Sequence, residues 1–244
     1  MNKKFFLPIV AGLVLTAIFF SCQKDNGDDG NKVKLLETES YSVGGHSRYE
    51  YDTQNRLTKI YKYSNGGERF YTLTLTYSGD DLVQYNDFTI DFPYSANKMT
   101  YSDGSNTNTF DLNSDGSLAK ASASYVTNGY NCVSSYQYQN GNLTKVIEEW
   151  SNEVYQSVVT TREYTYDNMK SPFINCKTPM WCLTWFVNIE RSYCNNNSIE
   201  FTQTNSEISS NLVFSYEYDN EGYPTRCSYE VGNEVITVSY SYNK

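Results

Sequence analysis

The amino-acid sequence predicts an all-β protein, a long antiparallel meander of hairpins with about 14–16 strands. Composition is the first reason, because the chain has 24 tyrosines and only 5 prolines, and aromatic and β-branched residues favour half-buried pleated sheets. The second reason is a strand–turn–strand theme that returns along the chain. Long helical patterns are absent outside the first 21 residues.

The repeated theme is Tyr-x-Tyr, then a turn rich in Asp, Asn and Gly, then a second alternating segment. Side chains alternate along a strand, so the two tyrosines share one face, and the turn residues tolerate the positive φ of tight hairpins. The clearest copies are 49–60, 136–146 and 216–226, and a degenerate copy spans 193–199.

The key aromatic position of the repeat recurs with a period that indicates one supersecondary unit of two strands and two turns. Its successive gaps are 26, 33, 28, 28, 27, 25 and 24 residues. The positions are 51, 77, 110, 138, 166, 193, 218 and 242.

A meander of this length must protect its edges, and three arrangements would do so: a closed barrel, a partly open barrel-like sheet, or stacked layers. The sequence does not choose among them. A membrane-spanning barrel is disfavoured, because segments such as 122–125 and 137–140 lack an apolar lipid-facing set.

Residues 171–187 interrupt the repeats and predict a short helical or irregular insertion. The segment holds two of the five prolines, two of the three tryptophans and two cysteines. We expect it to cap one end of the sheet or to plug its concave side. Alternatively, Trp181, Trp185 and Phe186 form the wall of an aromatic pocket for a sugar or a lipid-like ligand. Trp181→Ala or Trp185→Ala would then weaken glycan binding.

The N-terminal residues predict export and lipid anchoring. Lys3 and Lys4 precede an apolar run of 16 residues, 5–20, which is short for a membrane span. Because Cys22 follows Ser21 directly, residues 1–21 resemble a lipoprotein signal peptide, although Phe19 replaces the usual Leu. The resemblance implies cleavage before Cys22 and acylation of that cysteine.

The predicted domains are therefore the signal peptide at 1–21, an acidic flexible tether at 22–33 and a single repeat-built β domain at 34–244. The acidic stretch after Cys22 resembles the signal that sends Bacteroidales-type lipoproteins to the outer face of the outer membrane. The repeats resemble the YD repeats of Rhs-type proteins. Together with the signal peptide and the block 166–173, they are similar to a Bacteroidales lipoprotein family of unknown function with a porin-like or barrel-like fold. The resemblance implies no activity and no functional residues.

Charge limits the partners that the mature chain could bind. Without Lys3 and Lys4, 17 basic and 28 acidic residues remain, a net charge of −11. This balance argues against nucleic acid and against an electrostatic hold on anionic lipid. The expected partners are the membrane, through the lipid anchor, and a glycan or lipid ligand. The oligomeric state stays open.

Cysteines permit more than one arrangement in an exported protein. Five remain beside Cys22, so at least one is unpaired within the chain. Cys176 could close a small loop with Cys182, and Cys194 is an equal alternative, so the pairing stays open. The five are Cys132, Cys176, Cys182, Cys194 and Cys227.

Metal and catalytic motifs are nearly absent from the sequence. Asp111, Asn113 and Asp115 resemble the front of a calcium loop, but Ser122 stands where the bidentate Glu belongs. With one histidine, no CxxC and no nucleophile elbow, we expect no cofactor and no enzyme activity. The sequence favours a surface ligand-binding module, then a scaffold that contacts other envelope proteins, and third an extracellular hydrolase.

Overall fold

The computed structural model describes residues 33–86, 88–91, 97–102, 106–125, 129–152, 157–187 and 194–243, and these confirm the all-β prediction. They contain 17 antiparallel strands and one short helical segment. The signal peptide, Cys22 and nearly all of the acidic tether lie outside the described residues. The strands are β1 Leu36–Tyr41, β2 His46–Tyr51, β3 Leu57–Tyr63, β4 Arg69–Ser78, β5 Asp81–Tyr85, β6 Phe88–Asp91, β7 Lys98–Ser102, β8 Asn106–Leu112, β9 Leu118–Tyr125, β10 Tyr130–Gln139, β11 Asn142–Ser151, β12 Val158–Tyr166, β13 Ser198–Thr204, β14 Ser209–Val213, β15 Ser215–Tyr218, β16 Pro224–Val231 and β17 Glu234–Tyr242. The helix α1, Met180–Cys182, continues into a π-helical turn, Leu183–Val187.

The strands follow one another as a meander that is divided between two sheets. Sheet I runs β15, β16, β17, β1, β2, β3 and the first half of β4. Sheet II runs from the second half of β4 through β5 to β14. Consecutive strands are therefore neighbours almost everywhere, as expected for hairpins joined by short turns.

The sheets meet at two places where the chain changes its pairing partner. In β4, residues up to Thr74 pair with β3, and residues from Leu75 onward pair with β5. β14 pairs with β13, whereas β15, one residue later, pairs with β16. At these two places each half of β4, and likewise β14 and β15, is paired in these ladders with a neighbouring strand on one side only. The meander is therefore not closed into a barrel, which excludes the first of the three arrangements that the sequence left open.

Both sheets bury one side against a common core. Leu57 and Val238 from sheet I and Phe110 and Val146 from sheet II are at most 1% exposed and belong to one buried cluster. The same cluster includes residues of the insertion, so the insertion is part of the core. No helix among the described residues is long and apolar enough to cross a membrane.

The repeat turns have the backbone geometry that the sequence predicts. Asn55, Gly116 and Gly222 have φ values of 65°, 80° and 83°, and each lies one residue before the end of its turn. Asn140 and Gly141 both have positive φ, which is the requirement for a two-residue type I′ hairpin. The choice of Asn and Gly at these positions follows from this requirement.

Tyrosine is abundant because its hydroxyl joins successive repeats. Tyr51 donates to Leu36 O at 2.9 Å and Tyr77 donates to Leu57 O at 2.8 Å. Tyr166 donates to Leu143 O at 2.6 Å, and Tyr242 donates to Pro224 O at 2.9 Å. The ring thus fills the core while its hydroxyl satisfies a carbonyl at the start of an earlier strand, as a buried tyrosine requires.

We expect the fold to lose stability in acid because of the aspartates that open the repeat turns. Partial burial raises the pKa of Asp52 and Asp219, but hydrogen bonds from the turn amides and from Arg56 or Lys34 lower it by more, so each pKa lies below its usual value. A carboxyl with a depressed folded pKa stabilises above its unfolded pKa, about 3.9, and loses that contribution as the pH falls through the folded value. The melting temperature should therefore fall between about pH 5 and pH 3. Asp52→Asn/Asp219→Asn should flatten this dependence, and an unchanged slope would contradict the assignment.

Candidate functional site

The insertion lies inside the turn of the β12–β13 hairpin. In the ordinary turn after β2, Asp52 N donates to Arg56 O and Arg56 N donates to Asp52 Oδ1, residues separated by 4 in sequence. The same pair of bonds joins Asp167 to Asn197, at 3.1 Å each, across a separation of 30. The repeat turn is therefore kept, and the chain makes a long excursion between its two ends.

This pairing corrects one sequence prediction. The sequence predicts a degenerate repeat at residues 193–199, the first of which lies outside the described residues. Among the described residues, the chain after Cys194 instead completes the turn that Asp167 begins, and Ser198 starts β13 opposite Tyr166. The alternation in this segment belongs to the second strand of the earlier hairpin.

Hydrogen bonds anchor the insertion to both sheets. Thr178 accepts a bond from Leu57 N at 2.7 Å and contacts the hydroxyl of Tyr77 at 3.1 Å. Asn175 donates to Lys34 O at 2.9 Å and to the hydroxyl of Tyr223 at 2.8 Å. These contacts hold the segment at the end of the domain where the repeat turns lie.

Two of the three predicted aromatic residues pack inside the protein. Trp181 is 4% exposed, and its ring lies 5.9 Å from that of Phe110. Trp185 is half-buried and meets Phe110 edge-on at 5.0 Å. Phe186 lies in the π-helical turn, and its side chain is outside the described residues. The insertion, residues 171–187, is here called the plug, because it fills the space between the sheets. This is one of the two placements that the sequence predicts.

A cleft of about 290 Å³ opens beside the plug. Its floor is apolar and well buried, since Leu82, Met99 and Trp181 are each at most 4% exposed. Leu112, Pro179 and Met180 extend the apolar surface. The polar lining residues are Asp80, Asp81, Asn97, Lys98 and Asp115.

The rim of the cleft is acidic. Three of its side chains are carboxylates, and the one lysine, Lys98, pairs with Asp111 at 3.5 Å. Hydrogen bonds from the hydroxyl and amide of Ser117 lower the pKa of Asp115, so this group is charged at neutral pH. Asp80 lies 4.0 Å from Arg56 but is 94% exposed, so that pair has little strength.

The calcium candidates are organised as a turn. Asp111 is paired with Lys98, Asn113 donates its Nδ2 to Ser117 Oγ at 2.9 Å, and Asp115 accepts from Ser117 N at 3.0 Å. Within the described ranges there is no group of three or more His, Cys, Asp or Glu side chains placed to hold a metal. Of the three candidates, Asp115 is the one whose carboxylate oxygen is used within the turn itself.

No disulfide joins the five described cysteines, which are Cys132, Cys176, Cys182, Cys194 and Cys227. Cys182 is completely buried, and Cys132 and Cys194 are nearly so. Burial raises the pKa of the Cys176, Cys182 and Cys194 thiols, which lowers the thiolate fraction and therefore their reactivity.

The sequence identified Trp181 and Asp115 separately but missed the residues that join them. Asp80 ends the β4–β5 turn, Asp81 begins β5, and Met99 lies in β7. An Asp-Asp pair after a glycine is an ordinary turn signal, so nothing in the sequence marks it as part of a cleft. The convergence depends on which hairpins become neighbours of the plug.

Comparisons with known proteins give similarity of fold only. No family model matches the chain, and no curated protein matches it. A porin-like protein from Bacteroides vulgatus ATCC 8482 is 13% identical with a TM-score of 0.43, over 78% of this chain and 99% of that one. A porin-like protein from Bacteroides uniformis ATCC 8492 is 14% identical with a TM-score of 0.41, over 85% of this chain and 96% of that one. At these identities and TM-scores the similarity carries no functional argument.

Proposed function

We propose that this chain is a lipid-anchored protein of the outer cell envelope that binds an apolar, positively charged segment of a peptide in the cleft beside Trp181. One observation carries the proposal: a formed cleft of about 290 Å³ has an apolar floor and an acidic rim. This volume is near the lower end for small-molecule pockets, so it suits one or two side chains.

The chemistry of the lining favours a peptide over a sugar at this site. With 4% of its surface exposed, Trp181 offers no open ring face on which a sugar could stack. The half-buried Leu112, Pro179 and Met180 instead offer aliphatic and thioether surface, which adapts to apolar side chains. The carboxylates of Asp80 and Asp81 would attract a lysine or arginine beside the apolar residue.

We expect Asp80→Asn/Asp81→Asn to weaken the binding of a short cationic, apolar peptide by about fivefold at low salt, with less effect at high salt. The assay is a calorimetric titration of the Cys22→Ala protein, because that substitution lies outside the described residues and avoids detergent. Met180→Lys, which adds a positive charge to the lining, should weaken binding further.

The matched control for charge is Glu37→Gln/Glu149→Gln. Both glutamates are exposed strand residues that do not line the cleft, and the double variant changes the net charge equally. Equal affinity in the cleft variant and the control would refute the site, as would the absence of binding by any such peptide at about 1 mM.

Anchoring rests on Cys22 and is proposed from the sequence. We expect Cys22→Ala to release the protein from membranes into the soluble fraction and to abolish incorporation of labelled fatty acid. The acidic stretch 23–30 supports display on the outer face of the outer membrane, so protease added to intact cells should digest the wild-type protein. A signal-cleaved Cys22→Ala protein that stays membrane-bound would contradict the proposed lipid anchor.

A scaffold that contacts other envelope proteins is the second candidate function. Its support is that the hydroxyls of Tyr51, Tyr77, Tyr166 and Tyr242 bond to the protein's own backbone. These tyrosines hold repeats together, so they do not form an aromatic binding surface. Cross-linking on intact cells that captures one defined protein in the absence of peptide binding would favour the scaffold.

A further inference from the structure

The inward side of sheet II carries a polar cluster at the ends of the strands farthest from the repeat turns. Val146 in β11 and Tyr164 in β12 face the core and are at most 5% exposed. Because side chains alternate, Glu148 and Trp150 point to the same side as Val146, and Arg162 points to the same side as Tyr164. Glu149, between the first two, is exposed on the other side.

Hydrogen bonds fix the members of this cluster. Trp150 Nε1 donates to Glu148 Oε1 at 2.7 Å, and Arg162 Nη1 donates to Glu148 Oε2 at 3.3 Å. Arg162 Nε donates to Gln203 Oε1 at 3.1 Å. Each oxygen of Glu148 is thus engaged by a different donor, which holds both the indole and the guanidinium in place.

An aromatic stack completes the arrangement. Trp150 lies against Tyr125 with ring centroids 5.5 Å apart and an angle of 18° between the planes. The strand neighbours of Glu148 and Trp150 on β10 are Ser134 and Cys132. These side chains are short, so the stack and the ion pair project beyond them from this part of the sheet.

Stability alone does not favour an ion pair here. The side chains of Glu148 and Arg162 are only 20% and 18% exposed. Removing two charges from water is costly, and a well-packed apolar pair often stabilises a protein equally or better. A rigid donor and acceptor beside an aromatic stack do, however, suit a polar ligand with a flat apolar face.

We propose that Tyr125, Glu148, Trp150, Arg162 and Gln203, here called the inner cluster, bind a neutral sugar ring. Arginine donates and glutamate accepts hydrogen bonds, so together they match adjacent hydroxyls, and their charges cancel, which gives no preference for an ion. The hydrophobic face of a pyranose stacks on aromatic rings. This site is separate from the cleft and does not depend on a peptide ligand there.

The test is a titration of the Cys22→Ala protein with neutral oligosaccharides, namely maltose, cellobiose, chitobiose and mannobiose. The readout is the indole N–H resonance of Trp150, identified by its loss in Trp150→Phe. We expect one sugar to shift this resonance saturably, and Glu148→Gln/Arg162→Gln to weaken binding about tenfold or more.

The control pair lies on the outer side of the same two strands, where Lys145 and Glu163 form an exposed ion pair at 2.9 Å. Lys145→Gln/Glu163→Gln should leave sugar affinity unchanged. If the inner double variant does not fold, Gln203→Ala provides the same test with less perturbation. The proposal fails if no sugar shifts the Trp150 resonance at about 10 mM, or if the inner and outer variants bind equally.

Discussion

Trp181→Ala is expected to lower the free energy of unfolding by about 3–5 kcal/mol, the range for removing a buried aromatic side chain. Trp181 is 4% exposed and packs against Phe110 in the core that the two sheets share. Alanine would leave a cavity, and the hydrogen bond from Lys177 N to Asn55 O, just before α1, resists its closing. Chemical denaturation followed by circular dichroism measures the change.

Trp185→Ala provides the internal comparison, because Trp185 is only half-buried at the end of the same segment. We expect it to cost less than Trp181→Ala. A loss below about 1 kcal/mol for Trp181→Ala would mean that the plug can leave the core. Reduced glycan binding by Trp181→Ala would therefore reflect a weakened plug and not a lost contact with the ligand. The half-buried Trp185 is the better probe of ligand contact.

Much of the sheet could be predicted from local signals. The turn residues Asn55, Gly116 and Gly222 take positive φ, as their identities predict, and paired tyrosines share one face of a strand. Local signals suffice here because a short hairpin fixes the register of its own strands. Whether the meander closes into a barrel depends on β4 and on the connection between β14 and β15, because there the chain changes the strand with which it pairs. No local signal encodes that change.

The insertion shows where periodicity misleads. Tyr193 falls 27 residues after Tyr166 and therefore fits the spacing of the repeats. The structure nevertheless joins Asp167 to Asn197 within one turn. A period counts residues but does not show which ends meet. The sequence likewise does not predict the cleft, because Asp81, Met99 and Trp181 come together only through tertiary packing.

Asp167→Ala is expected to lower the free energy of unfolding by roughly 3 kcal/mol, because it leaves several donors without an acceptor. Oδ1 of Asp167 accepts bonds from Met169 N and Asn197 N at 3.0 and 3.1 Å, and its other oxygen accepts from the hydroxyl of Tyr218. Asn197 is completely buried, so water cannot replace the lost partner without opening the structure. Denaturation curves at neutral pH measure the loss.

Asp52→Ala is the matched control, since Asp52 makes the equivalent bonds between residues only 4 apart. Asp52→Ala should cost less than Asp167→Ala, because the turn at Asp52 closes locally and its carboxylate is partly solvated.

Asp167 also holds the two ends of the plug together, so its loss should raise the rate at which Cys194, 7% exposed in the folded protein, reacts with a thiol reagent. Asp52→Ala should leave that rate unchanged. Equal thiol rates in both variants would show that Asp167 supports its own turn alone, and that the contacts of Asn175 and Thr178 suffice to keep the plug in place.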